Sequence, residues 1–176
     1  MPRAATRAAS AGGALARGPD VPARGPGAPV PPTFIFFLAF TGAVWWHNRQ
    51  PWPVQPMPPH VPRLVAGAVL MAFGLALFAA GLRTFTRHRT GIMLQRAATR
   101  VVTSGPYRWS RNPMYVSFVT LYLGGTLLVN TLWPLVALPL VILALDRLVI
   151  AREESYMHHT FGGEYDAYCR RVHRWL

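Results

Sequence analysis

One uncharged run constrains this chain more than any other feature. Residues 64–82 are nineteen in a row without a charged side chain. A helix of that length covers about 28 Å, close to the roughly 30 Å of a bilayer's hydrocarbon core. No water is available there to satisfy backbone groups, so a lone spanning segment must be helical. Three more apolar segments accompany it, at 34–46, 114–129 and 132–151. The expected fold is therefore all-α: a multi-pass membrane helical bundle of about four spans, with a C-terminal amphipathic helix on the cytoplasmic side. Composition agrees. Only 14% of the 176 residues are charged, against roughly a quarter in a soluble domain.

The segments differ in kind. Segment 34–46 covers only about 20 Å as a helix; extending it to Val30 and Trp52 is strained by the prolines, and the alternative is a re-entrant or interfacial segment. Trp45, Trp46 and Trp52 beside it read as an aromatic belt. Gly67, Gly74 and Gly81 recur every seven residues on one helical face, where small residues let a second helix approach. Only Asn130 and Thr131 separate the last two segments, which predicts a tight antiparallel hairpin, with Pro134 and Pro139 bending its second arm. Residues 1–32 are Ala, Gly, Pro and Arg with almost no large apolar side chain. They read as a disordered tail without the continuous apolar stretch of a secretory signal. Residues 33–176 make the membrane domain.

All eighteen basic residues are arginine, and with six acids the net charge is +12. Seven arginines and no acid lie within 83–111. The positive-inside rule puts that loop in the cytoplasm, and four spans put both termini there as well. The arginines flank apolar spans and form no single soluble basic face. Membrane lipids with anionic headgroups are the expected partners, and nucleic acid is not. A single cysteine, Cys169, excludes a disulfide framework and a Cys-based zinc site. It reads as a bystander. His158 and His159 point about 100° apart on a helix, so no metal site is expected.

Two constellations remain as candidates for chemistry. All acids except Asp20 lie after residue 145. Residues seven apart on a helix return to nearly one direction, which stacks Asp146 on Glu153 and Arg147 on Glu154. Read alone, the stripe is either a solvated helix end with ordinary ion pairs or an ionisable site at membrane depth. The second constellation runs from Ser104 to Tyr115. Gly105-Pro106 signals a turn, and Asn112-Pro113 a capped helix start whose free N–H groups favour negative charge. Read alone, it is a cap with interfacial aromatic and Arg anchors or an anion-receiving helix opening.

Together these pieces resemble a known pattern. Val101-Val102-Thr103-Ser104-Gly105-Pro106-Tyr107, then Arg111-Asn112-Pro113-Met114-Tyr115, Glu153-Glu154, Phe161-Gly162-Gly163-Glu164-Tyr165-Asp166-Ala167-Tyr168 and Arg171-Val172-His173-Arg174 match in order and spacing over 98–176. The chain resembles the isoprenylcysteine carboxyl methyltransferase family and the related membrane phospholipid methyltransferases. The resemblance implies a membrane methyltransferase that uses S-adenosylmethionine. It implies that Tyr107, Asn112, Pro113, Tyr115, Glu153 and Glu154 hold the cofactor, with the backbone of Arg100, Val101 and Val102 along the adenosine. Arg111, Asn112 and Arg147 are then the residues nearest the chemistry, and Arg108 joins Arg111 and Arg147 as a grip for an anionic group. The family's usual His is Asn112 here, which cannot titrate near neutral pH. Its usual small Gly is Ser117. The methyl acceptor, whether carboxylate, thiol, amine or phospholipid headgroup, stays open. Two other classes compete: an NADPH-dependent sterol-type membrane reductase, whose motif Met114 and Ser117-Phe118 break, and a non-catalytic membrane scaffold.

The Tyr165 and Tyr168 pair is expected to dock the C-terminal helix on the membrane surface, with Arg170, Arg171 and Arg174 at the headgroups.

Overall fold

Prolines open the apolar helices at positions where a helix tolerates them. Pro32, Pro113 and Pro134 each sit in a first turn, where the missing N–H has no intrahelical partner to lose. The computed structural model describes residues 30–58, 60–87 and 100–176. The tail to residue 29 and the arginines at 89 and 96 fall outside the described residues. The helices are α1 (Pro32–His47), α2 (Val61–Arg87), α3 (Pro113–Val129), α4 (Trp133–Leu145), α5 (Ala151–Phe161) and α6 (Gly163–Cys169). A 3₁₀ turn, Gly105–Arg108, precedes α3, and a π segment, Asp146–Ile150, joins α4 to α5. There is no strand among the described residues.

Among the described residues two helices are long and apolar enough to cross a membrane: Val61–Arg87, and the continuous helix Trp133–Phe161 formed by α4, the π segment and α5. The third apolar helix, α3, has 17 residues and measures about 26 Å. With 16 residues α1 measures about 24 Å, so the short first segment is a helix, extended at both ends by a few residues.

The glycine stripe on α2 does what its spacing predicts. A Cβ on Gly67 would lie 2.9 Å from Leu128, one on Gly74 2.8 Å from Leu121, and one on Gly81 3.1 Å from Met114. These partners on α3 also step by sevens, in reverse order, so α2 and α3 run antiparallel along a shared seam. On the other side α4 packs chiefly on α1. Phe36, Tyr122, Val141, Leu145, Val149 and Ile150 fill the space between. Outward faces carry exposed apolar side chains such as Phe37, Val65, Phe73 and Leu140, a surface suited to lipid rather than water.

The two ends of the bundle differ. At one end Asn130 turns the chain in the left-handed region (φ 60°), and its side chain meets Gln55 twice, accepting from N at 2.9 Å and donating to O at 3.1 Å. The Arg63 guanidinium donates to the carbonyls of Leu127 and Leu128, the last acceptors of α3. Trp46, Trp52 and Trp133 meet edge to face there. The opposite end gathers the close of α2, the 3₁₀ turn, the start of α3, the π segment, α5 and α6. It holds every motif residue singled out above.

Candidate functional site

The 3₁₀ turn is pinned against α2 from both sides. Gly105 has φ +60°, and a Cβ there would lie 2.6 Å from Thr84 Oγ1, so both conformation and space call for glycine. Tyr107 is buried, its ring edge-on to Phe85 at 5.1 Å. Its carbonyl accepts a 2.8 Å hydrogen bond from Tyr168 Oη. Burial, then the proximity of Tyr168 and Glu153, hold the Tyr107 hydroxyl far above the ordinary tyrosine range.

Two helices contribute the central contact. Tyr115, in the first turn of α3, donates from Oη to Glu153 Oε1 on α5 at 2.7 Å. Its neighbour Glu154 has different partners. Arg111 Nη1 lies 3.1 Å from Glu154 Oε1. Arg174 donates from Nε to the same oxygen at 3.1 Å and from Nη2 to Oε2. Arg174 Nη1 also donates to Asp146 Oδ1 at 2.9 Å. Hydrogen bonding to Glu154 is the main cause that raises the Arg174 pKa above the usual arginine value, with burial opposing it.

The last residues of the chain close over this cluster. Arg111 N donates to the His173 carbonyl at 2.9 Å. Asn112 Nδ2 and Ser110 Oγ donate to the Arg174 carbonyl at 3.0 and 3.4 Å. Trp175 packs against the cluster of Phe36, Tyr115 and Leu145. Arg111 Nη1 further donates to Cys169 Sγ at 2.8 Å, while its Nε is buried and without a hydrogen-bond partner among the described residues.

Several expectations need correction. Asp146 does not stack on Glu153, nor Arg147 on Glu154. The π segment places an extra residue in its turn, so Asp146 and Glu154, eight apart, share Arg174. Arg147 is exposed, and no hydrogen bond or ion pair among the described residues brings it to the cluster. Arg108 and Arg100 are exposed as well, whereas Val101, Val102 and Pro113 are buried. Asn112 stands at the N-cap of α3 but makes no capping bond. Its Nδ2 donates to the Arg174 carbonyl. Tyr165 and Tyr168 are buried against Val101 and Val172, inside the protein rather than on a membrane surface. Burial is also the main reason both hydroxyls titrate above the ordinary range. Arg170 and Arg171 are exposed, but Arg174 turns inward. His158 pairs with Asp166 at 2.8 Å.

The sequence reading missed Arg174 and Ser110. Arg174 looks like its two arginine neighbours, and its only distinguishing signal is the adjacent Trp175, which seats in the core.

Thus Tyr107, Arg111, Asn112, Pro113, Tyr115, Glu153 and Glu154 gather at one end of the bundle, between α3 and α5. This arrangement offers carboxylates for a cation and a guanidinium for an anion within one partly buried site.

An uncharacterized protein of Haemophilus influenzae is 36% identical over 63 residues, which are 36% of this chain and the whole of that protein. No solved structure matches. The family model described as phospholipid methyltransferase matches residues 62–164, from the start of α2 into α6. That match covers more than half of the chain and all of the central contacts except those made by the last residues. The chain belongs to the phospholipid methyltransferase family.

Proposed function

We propose that the protein is a multi-pass membrane methyltransferase that uses S-adenosylmethionine and acts on a lipophilic or small acceptor. The single observation that carries this reading is the Tyr115–Glu153 contact at 2.7 Å beside the Asn112 turn, within the span matched by the family. The donor set suits an amino acid attached to an adenosine. Glu153 is a carboxylate for the ammonium group. The buried, unpartnered Nε of Arg111 is a donor for the carboxylate. The segment Arg100 to Val102, with its two valines buried, is the part assigned to the nucleoside.

When bound, the cofactor supplies a methyl group on a sulfonium, already activated toward a nucleophile. The protein's part is to hold, orient and dry the site. Tyr115 fixes the Glu153 carboxyl group through a 2.7 Å hydrogen bond. Val149 and Ile150, fully buried in the π segment that leads into α5, give the site an apolar flank, and loss of hydration favours attack by an anionic or neutral nucleophile. Proximity and orientation supply most of the acceleration. Asn112 has no role in proton transfer, since an amide does not titrate near neutral pH.

The arginine-rich end that holds the site faces the cytoplasm by the positive-inside rule, with both termini on that side. The acceptor reaches the site from the bilayer, past the apolar outer face of α2.

The test is methyl transfer from labelled S-adenosylmethionine to lipid extracts and small thiols, amines and carboxylates, by membranes holding the full chain. Label is expected in an extractable acceptor with the wild type and not with Glu153→Gln. Equal incorporation by both, or none by the wild type across the panel, contradicts the reading.

A further inference from the structure

The two adjacent glutamates of α5 have unequal surroundings. Glu154 is met by two guanidiniums, Arg111 and Arg174, and Asp146 shares Arg174. Those two carboxylates and two guanidiniums cancel in charge. Glu153 has a phenol as its partner, Tyr115, and no guanidinium meets it among the described residues. The doublet is thus one carboxylate held by guanidiniums and one held by a phenol alone.

Arg174 is the residue that makes the difference. Its planar fork engages both oxygens of Glu154 and reaches Asp146 as well, a pattern a lysine cannot reproduce. Its own carbonyl accepts from Asn112 and Ser110. One residue near the end of the chain therefore ties α5, the π segment and the opening of α3 together.

We propose that Arg174 is a positioning residue of the cofactor site: by holding Glu154 and Asp146 it leaves Glu153 as the carboxylate that receives the cofactor's ammonium group. This rests on the cofactor reading above. Glu154 acts as the anchor of a C-terminal strap, and Glu153 as the ligand. The amino-acid part of the cofactor depends on Arg174, and the adenosine part does not.

The experiment is calorimetric titration of the full chain in detergent with two probes, S-adenosylhomocysteine and methylthioadenosine, which lacks the amino-acid part. The wild type is expected to prefer S-adenosylhomocysteine. Arg174→Gln is expected to lower that preference by about tenfold, equivalent to about 1.4 kcal/mol, with methylthioadenosine affinity unchanged. Arg174→Lys, which keeps the charge, is expected to recover part of the preference. Glu153→Gln is expected to remove it altogether.

A general loss of structure weakens both probes alike, and that result overturns the assignment. Tighter binding of S-adenosylhomocysteine by Arg174→Gln also overturns it, because the strap is then a plug. Unchanged preference in Arg174→Gln, with the wild type still selective, removes this role and leaves the proposed function standing. A wild type that binds neither probe refutes the proposed function and this inference with it.

Discussion

Replacing Gly124 with alanine is expected to destabilise the bundle relative to the same change at Gly42. Both glycines lie inside helices, so alanine gains about 1 kcal/mol of helix propensity at each. Their surroundings differ. A Cβ on Gly42 meets nothing within 4 Å, whereas one on Gly124 lies 3.0 Å from the Gly67 carbonyl oxygen and 3.0 Å from Met71 N. Those are backbone atoms of α2, which cannot rotate away. The α2–α3 seam must open by roughly half an ångström, enough to forfeit a quarter or more of each affected van der Waals contact. Overpacking of this kind costs about 1–3 kcal/mol. The propensity gain cancels between the two variants, so the difference between them is that same 1–3 kcal/mol. For a chain of this size it lowers Tm by roughly 2–12 °C. Thermal unfolding followed by circular dichroism in one detergent makes the comparison. A Gly124→Ala protein that melts at or above the Gly42→Ala protein refutes the close-packed seam.

Further outcomes follow from the two ends of the bundle. Asn130→Ala removes two hydrogen bonds to Gln55 and puts a Cβ-bearing residue without local hydrogen bonding at φ 60°; it is expected to cost about 1–3 kcal/mol in the same melting assay, and an unchanged Tm contradicts the turn. Burial raises the hydroxyl pKa of Tyr107, Tyr165 and Tyr168 in the folded protein. Their stabilising contribution is complete below the ordinary value near 10 and falls as pH rises above it, because the unfolded chain ionises first. Alkaline titration is therefore expected to show phenolate absorbance from these residues only as helical circular dichroism is lost; early ionisation with the helices intact contradicts their burial. A tag after Leu176 is expected to be cut by protease in inside-out vesicles and protected in right-side-out vesicles, and the reverse pattern contradicts the orientation.

Much of this architecture was legible because it depends on local or periodic features. An uncharged run such as 64–82 has few fates, and the seven-residue glycine spacing named the face of α2 that meets α3. The turn at Gly105 and the opening at Asn112-Pro113 are set by backbone chemistry that sequence records directly. The motif order placed Tyr115 and Glu153 in one site, and the structure puts them in contact. What was not legible depends on where the chain returns after a long excursion. A π segment leaves no mark in residues 146–150, yet it shifts the helix phase, so that Asp146 meets Arg174 and Arg147 is left exposed. Asn112 reads as a cap from sequence, because the acceptor that its Nδ2 finds, the Arg174 carbonyl, lies 62 residues away. Arg174 itself is indistinguishable by type from Arg170 and Arg171, and only folding separates an arginine that faces Glu154 from two that face outward.

The central claim is that the end of the bundle joining Asn112, Tyr115 and Glu153 holds S-adenosylmethionine rather than a nicotinamide cofactor. Equilibrium titration of the purified wild-type chain with S-adenosylhomocysteine and, separately, with NADPH measures this directly. Saturable one-to-one binding of S-adenosylhomocysteine, absent in Glu153→Gln and not seen with NADPH, is the predicted result. Binding of NADPH without S-adenosylhomocysteine, or S-adenosylhomocysteine affinity that survives the loss of the Glu153 charge, contradicts it.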